Sequence, residues 1–181
     1  MLPIACLFIM VQTYSQVKVT EIITKQNDTI KSAEIRNSYM LKPDLMMSLQ
    51  QKLVISDKNG EKKEYLPNEI KSFILNFDEE SIQYENVDDK GFAQLLYADK
   101  LRLLKINTRN YLVFIIKRPN NGKTSFMEAM GLSRLISLKV ITRELGDCPD
   151  IIKKVDEKTL KVHGIEGVIE LAKDYEANCL K

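Results

Sequence analysis

The sequence predicts an α+β domain: an antiparallel sheet, or partial barrel, of about eight strands followed by C-terminal helices. Three observations lead there. From Val17 to Arg118 the chain is a succession of short runs rich in β-branched and aromatic residues, separated by turn residues. Beyond that the apolar spacing changes from a period near two to a period near 3.6. The composition, 44% hydrophobic and 29% charged with seven glycines and five prolines in 181 residues, is that of a chain able to form a core, and it excludes collagenous, disordered and multispanning classes.

The elements follow in order. Val17, Val19, Ile22, Ile23 and Thr24 make a first strand, and Gln26-Asn27-Asp28 supplies the turn into a second at Thr29 to Arg36. A second hairpin joins Lys52–Ser56 to Glu61–Leu66 through Asp57-Lys58-Asn59-Gly60, where Asn-Gly provides the positive φ angles of tight turns. Pro67-Asn68-Glu69-Ile70 reads as a short turn. Ser72–Phe77 then pairs with Ser81–Glu85, and Phe92–Tyr97 with Leu101–Ile106. Tyr111–Ile116 is continuously apolar, so that strand is expected to be covered on both faces. Leu132, Leu135, Ile136, Leu138, Val140, Ile141 and Leu145 suit one helical face ending at Gly146. Asp147-Cys148-Pro149-Asp150 opens a second helix through Val155, and Ile165, Val168, Ile169, Leu171, Ala172 and Tyr175 mark a third. The expected organisation is a single domain over 16–181, with a β-rich body at 16–128 and a helical tail at 129–181.

The first 15 residues stand apart. Residues 1 to 17 carry no charge, Leu2 to Val11 is almost wholly apolar, and Thr13-x-Ser15 places small residues where a signal peptidase reads. A helix that crosses a bilayer needs about 20 apolar residues, so this run is too short to span. The expectation is a signal peptide at 1–15, a mature chain from Gln16 with no transmembrane span, and export to the periplasm or cell envelope. Nothing basic precedes Leu2, which departs from the usual signal, and Cys6 lies within the apolar run. A hydrophobic first strand is the other reading of the segment.

Removing that segment leaves Cys148 and Cys179, an even count suited to an oxidising compartment. A bond between them would close a loop of about 30 residues and stabilise by about 3 kcal/mol. Two buried, unpaired thiols are the other reading. The spacing fits neither a CxxC redox pair nor a zinc cluster.

Four stretches carry a resemblance: Lys25-Gln26-Asn27-Asp28-Thr29-Ile30, Tyr65-Leu66-Pro67-Asn68-Glu69-Ile70, Asp147-Cys148-Pro149, and Asp174-Tyr175-Glu176-Ala177-Asn178-Cys179. Their order resembles that of small, uncharacterised exported proteins of Bacteroidota bacteria. The resemblance implies a signal peptide, a β-rich body and a helical tail, and it brings no catalytic residue with it.

Little standard catalytic equipment is present. Asn121-Gly122-Lys123-Thr124 follows an apolar strand, but a phosphate-binding loop needs GxxxxGK[ST]. Here Lys117 stands where the first glycine belongs and Pro119 interrupts the loop, so a β-turn at Asn120-Asn121-Gly122 joining two strands is expected. His163 is the only histidine, which excludes multi-histidine metal sites, and its place before the last helix suggests an exposed loop. Asp78, Glu79, Glu80, Glu85, Asp88 and Asp89 lack the spacing of a calcium loop and read as a solvated turn, although a pair of carboxylates for hydrolysis could lie among them. No catalytic residue, metal ligand or cofactor is assigned.

Charge is uneven. The chain totals +2, yet residues 100 to 143 contain ten basic side chains and one acidic, Glu128. Lys100, Arg102, Lys105, Arg109, Lys117 and Arg118 are therefore candidates for an anion-binding face, facing an anionic envelope component or another envelope protein. The alternative is a set of solvent-facing positions neutralised from elsewhere. Nucleic acid is not expected, since the aromatic and basic interleaving of single-strand binders is missing. The functional expectation is a non-enzymatic binding or accessory protein of the bacterial envelope. The alternative is a hydrolase using carboxylates or Cys148, with His163 as its base.

Overall fold

The computed structural model describes residues 17–35, 42–56, 59–77, 80–120, 122–130 and 135–180. The expected signal peptide, Cys6, Asp78 and Glu79 lie outside the described residues. Strands β1 (Lys18–Thr24) and β2 (Thr29–Ile35) precede a short helix, α1 (Lys42–Leu49). Eight strands follow: β3 (Leu53–Ser56), β4 (Lys62–Tyr65), β5 (Ile70–Phe77), β6 (Glu80–Val87), β7 (Gly91–Ala98), β8 (Arg102–Asn107), β9 (Tyr111–Lys117) and β10 (Thr124–Met130). Helices α2 (Leu138–Leu145), α3 (Pro149–Asp156) and α4 (Gly164–Cys179) complete the chain.

The α+β reading holds, and two details of it are corrected. One sheet contains ten strands rather than about eight, in the order β10-β9-β8-β7-β6-β5-β1-β2-β3-β4, with every neighbouring pair antiparallel. Leu135 adds a further extended residue, bridged to Met130 on one side and His163 on the other. The sheet is open rather than a partial barrel: β10 and β4 stand at its two ends and do not pair with each other, and each edge is blunted in its own way. Strand β4 is four residues long and exposes Lys62 and Lys63, while the backbone N–H of Phe126 on β10 donates to Glu144 of α2 at 3.4 Å.

Strand β10 is the one the apolar pattern did not reveal. Its sequence, TSFMEAM, has a single β-branched residue, and the strand is specified by alternation. Ser125, Met127 and Ala129 face inward and are buried, while Phe126, Glu128 and Met130 face out. The strand also runs across the expected border between body and tail at 128/129. Leu132, expected on a helical face, lies outside the described residues; helix α2 begins at Leu138, after Leu135 is spent on extended pairing, and Val140 N donates to the hydroxyl of the capping Ser137 at 3.4 Å.

Cross-strand partners share a face, so the register separates the two sides of the sheet. All four helices contribute to cores on one side, called inner here. In the first core, Leu45 and Leu49 of α1 join Ile22, Phe73, Leu75, Ile82, Tyr84 and Phe92, with Phe73 stacked on Tyr84 at 5.0 Å between ring centroids. In the second, Leu103, Phe114, Ile116 and Met127 lie under Ile141, Leu145, Ile151, Val168, Leu171 and Tyr175 of α2 to α4. A smaller cluster, Val87, Ala93, Leu104 and Ile115, lies on the outer face.

Candidate functional site

Between the two inner cores the sheet is split. Strands β7 and β8 pair from Ala98↔Arg102 as far as Gln94↔Lys105, and two residues further on that register would pair Phe92 with Asn107. Gln50, directly after α1, occupies the gap instead. Its backbone carbonyl accepts from Phe92 N at 2.8 Å, its side-chain carbonyl accepts from Asn107 N at 2.5 Å, and its amide donates to Asn107 O at 2.8 Å. One residue thus satisfies backbone groups on both separated strands. Gly91 is required beside it, because a Cβ there would stand 2.9 Å from the Gln50 carbonyl oxygen.

The split is flanked by two cavities. The first, about 540 Å³, is roofed by Pro43, Met46 and Met47 of α1 and floored by Ile82, Gln94, Lys105 and Leu112, with Glu80, Asn107, Thr108 and Arg109 at its rim. Its volume lies within the range of small-molecule sites, about 300 to 1,000 Å³. Lys105 lines this cavity and is only 8% exposed. The second cavity, about 510 Å³, shares Met47 and Asn107 with the first and continues past Gln50 to Val87, Lys90, Ile106 and Phe126.

The six basic residues singled out from sequence do not form one face. Lys105 and Arg109 line the first cavity. Arg102 and Lys117 are cross-strand partners on the outer face; Arg102 pairs with Glu85, while Lys117 donates to Asn86 O at 3.2 Å and lies 3.8 Å from Asp88. Lys100 is exposed in the β7–β8 turn. Arg118 is buried against the helices, donating to Tyr175 Oη at 2.6 Å, Ser125 Oγ at 2.9 Å, Lys123 O at 2.6 Å, Glu144 O at 3.2 Å and Asp147 Oδ1 at 3.2 Å. It is a structural cation.

The acidic residues are dispersed as well. Glu80 lies at the first cavity, Glu85 lies on the outer face, and Asp88 and Asp89 take positive φ in the β6–β7 turn, with Asp89 paired to Lys25 at 2.6 Å. Asn120 and Gly122 belong to the β9–β10 turn, closed by Gly122 N to Pro119 O at 3.0 Å, and Lys123 points to Glu144. His163 is exposed at the N-terminus of α4. Among the described residues no cluster of three or more His, Cys, Asp or Glu could hold a metal.

Cys148 and Cys179 form a disulfide, with Cα atoms 5.7 Å apart, joining the start of α3 to the end of α4. The Cys148 sulfur is therefore bonded and offers no nucleophile. Close by, burial raises Asp147, but the Tyr175 hydroxyl, 2.6 Å away, and the Arg118 charge outweigh it and hold this carboxyl below its ordinary value. Tyr175 is pushed up, by burial first and by Asp147 second. Glu176, 6% exposed, accepts from Leu101 N at 3.0 Å and Tyr97 Oη at 3.2 Å, fastening α4 to the β7–β8 turn.

Sequence reading missed Met46, Met47, Gln50 and Gln94. Pro43-Asp44 was the usable signal, since a proline followed by an acidic residue marks the first turn of a helix, with Leu45 and Leu49 four apart behind it. No helix among the described residues is long and apolar enough to cross a membrane. Comparison with known proteins found no matching family model, curated protein or solved structure.

Proposed function

We propose that this chain is a non-enzymatic binding protein of the bacterial cell envelope that takes a small amphipathic anion, a carboxylate or phosphate on an apolar stem, into the cavity beneath α1. The observation that carries this reading is the lining. Met46, Met47, Ile82 and Leu112 provide an adaptable apolar surface, while Lys105, Arg109, Gln94 and Asn107 bring cationic and amide groups to the same space. Methionines accommodate stems of varied shape, and the cations select the head. The envelope location rests on the apolar, charge-free start of the chain and on a disulfide that an oxidising compartment would preserve.

The test is a titration followed through methyl resonances of 13C-labelled methionine, with decanoate and decanol as probes below their aggregation limits. Decanoate should shift Met46 and Met47 saturably, and decanol should bind at least about tenfold more weakly, a difference of about 1.4 kcal/mol. Absence of shifts with both probes would reject the cavity as a ligand site. Equal affinity for the two would reject an anion as its ligand.

A further inference from the structure

An antiparallel sheet face left to water is ordinarily polar. The outer face of β5 and β6 largely follows that rule: Ser72, Asn76, Ser81, Gln83 and Glu85 accompany Ile74 and, at the end of β6, Val87. The outer face of β7 to β10 does not. Leu95, Leu104, Ile106, Val113, Ile115, Phe126 and Met130 lie on it, and the buried residues of all four helices pack on the opposite side. Ala93, Leu104 and Ile115 are fully buried within this face, and its exposed apolar side chains lie on β10 and beside it.

Its exposed part is ordered into a row. Tyr111 pairs with Met130, Met130 bridges to Leu135, and Leu135 bridges to His163, so four side chains stand side by side on one face across four segments of chain. Met130 is 65% exposed, Leu135 53% and Tyr111 37%, and Phe126, on the same face of β10, is 43% exposed. Four of the five large hydrophobic residues most open to solvent among those described are therefore gathered in one place; the fifth is Leu66.

Cations flank the row. Arg109 precedes Tyr111 by two residues, Lys161 precedes His163 by two, and Lys139 lies in the first turn of α2, just after Leu135. All three are exposed, and none has a carboxylate partner among the described residues. The acidic residues nearby are Glu128, on the outer face of β10, and Glu166, in the first turn of α4.

We infer that this row is a membrane-contact surface, with Met130, Leu135, Phe126 and Tyr111 entering the interfacial zone of an anionic lipid bilayer and Lys139, Lys161 and Arg109 meeting its headgroups. Shallow insertion of long apolar and aromatic side chains framed by lysine and arginine is the arrangement that interfacial binding requires. A second copy of the chain fits the charges less well. Two-fold pairing of one patch with itself would bring like rims of Arg109, Lys139 and Lys161 together, with Glu128 and Glu166 as the neighbouring counter-charges.

Vesicle co-sedimentation tests this, using the full mature chain with phosphatidylcholine vesicles alone and with vesicles that also contain phosphatidylglycerol. The expected result is binding to the anionic vesicles that weakens with added salt, and little binding to the neutral ones. Lys139→Gln and Lys161→Gln should each weaken anionic binding by about fivefold, at about 1 kcal/mol per charge near such a surface. Both lie outside the cavity lining, so their effect is separable from ligand uptake beneath α1. The Met130→Ser, Leu135→Ser double variant should abolish detectable sedimentation while thermal unfolding stays close to wild type, since both residues are exposed. Equal binding to both vesicle types, no binding to either, or full binding by the double variant would overturn the proposal. A concentration-dependent dimer in sedimentation velocity, lost in the same double variant, would also overturn it and assign the row to a second copy.

Discussion

The two covered halves of the inner face are closed in different ways. Over β8 to β10, three helices are fixed by directional contacts: Arg118 reaches two helices and β10, Glu176 holds the β7–β8 turn, Lys154 pairs with Asp174 at 2.7 Å, and the disulfide joins α3 to α4. Over β5 to β7 there is one eight-residue helix, seated by Leu45, Leu49 and Met46 and anchored at its end by Gln50. The 540 Å³ cavity opens where α1 meets the split, with Ile82 and Gln94 on one side and Lys105, Asn107 and Leu112 on the other, and a groove of about 530 Å³ runs between α2 and α3. The dense polar fastening belongs to the three-helix half. The lesson is that the cavity is placed where the fewest constraints would have to yield to a guest.

The largest expected effect breaks the fastened half. Cys179→Ser should lower stability by about 3 kcal/mol under oxidising conditions, and wild type treated with reductant should fall to the same value in urea unfolding. If reduced and oxidised wild type unfolded at the same urea concentration, the polar contacts alone would account for the difference between the halves. Gln50→Ala acts on the other side. It leaves Asn107 N and O without their partner and should cost about 2 kcal/mol. Hydrogen exchange at Asn107 should accelerate while Phe92, held by the Gln50 backbone, keeps its protection; uniform acceleration would mean that the whole split opens as one unit.

The smallest effect concerns pH. Asp147 is held below its ordinary value in the folded state, so its contribution is present above its unfolded pKa, about 3.9, and is lost as pH falls through the lower folded value. Tyr175 is raised, so its contribution is complete below about pH 10 and is lost as pH rises through the folded value. The Asp147 side chain is 58% exposed, which keeps the acid effect small. Asp147→Asn should flatten the acid limb of the stability profile; an unchanged limb would place the acid sensitivity in other carboxylates.

What could be read from the sequence followed the range of the interactions. Hairpins with local turn chemistry were legible: Gly60 adopts φ 79° and Asn27 φ 70° where Asn-Gly and Gln-Asn-Asp predicted turns. The continuous run of β9 was correctly read as a strand buried on both faces along Phe114, Ile115 and Ile116. The Cys148–Cys179 bond was legible because, of three cysteines, Cys6 falls in the expected signal peptide and the other two leave one pairing. Strand β10 was legible only through the turn before it, since methionine and alanine carry no strand preference of their own and Met127 and Ala129 are placed by β9 and α2. The cavity was out of reach, because its walls come from 43–47, 80–94 and 105–112 and meet only through the sheet order. Nor could the basic block reveal that alternation sends Arg102 and Lys117 to one face and Lys105 to the other.

The strand order also carries a consequence for how the chain reaches this structure. From β5 to β10 each strand pairs with its successor in the chain, so the loops to be closed are short and their entropic cost is low. Strand β1 is different: Lys18 lies opposite Asn76 and Ile22 opposite Phe73, on the far side of α1, β3 and β4. A chain made, or translocated, from its N-terminus has β1 to β4 before β5 exists, and these four strands pair in the order β1-β2-β3-β4 without it. Two locally connected sets of strands thus meet at one late seam, β1 against β5.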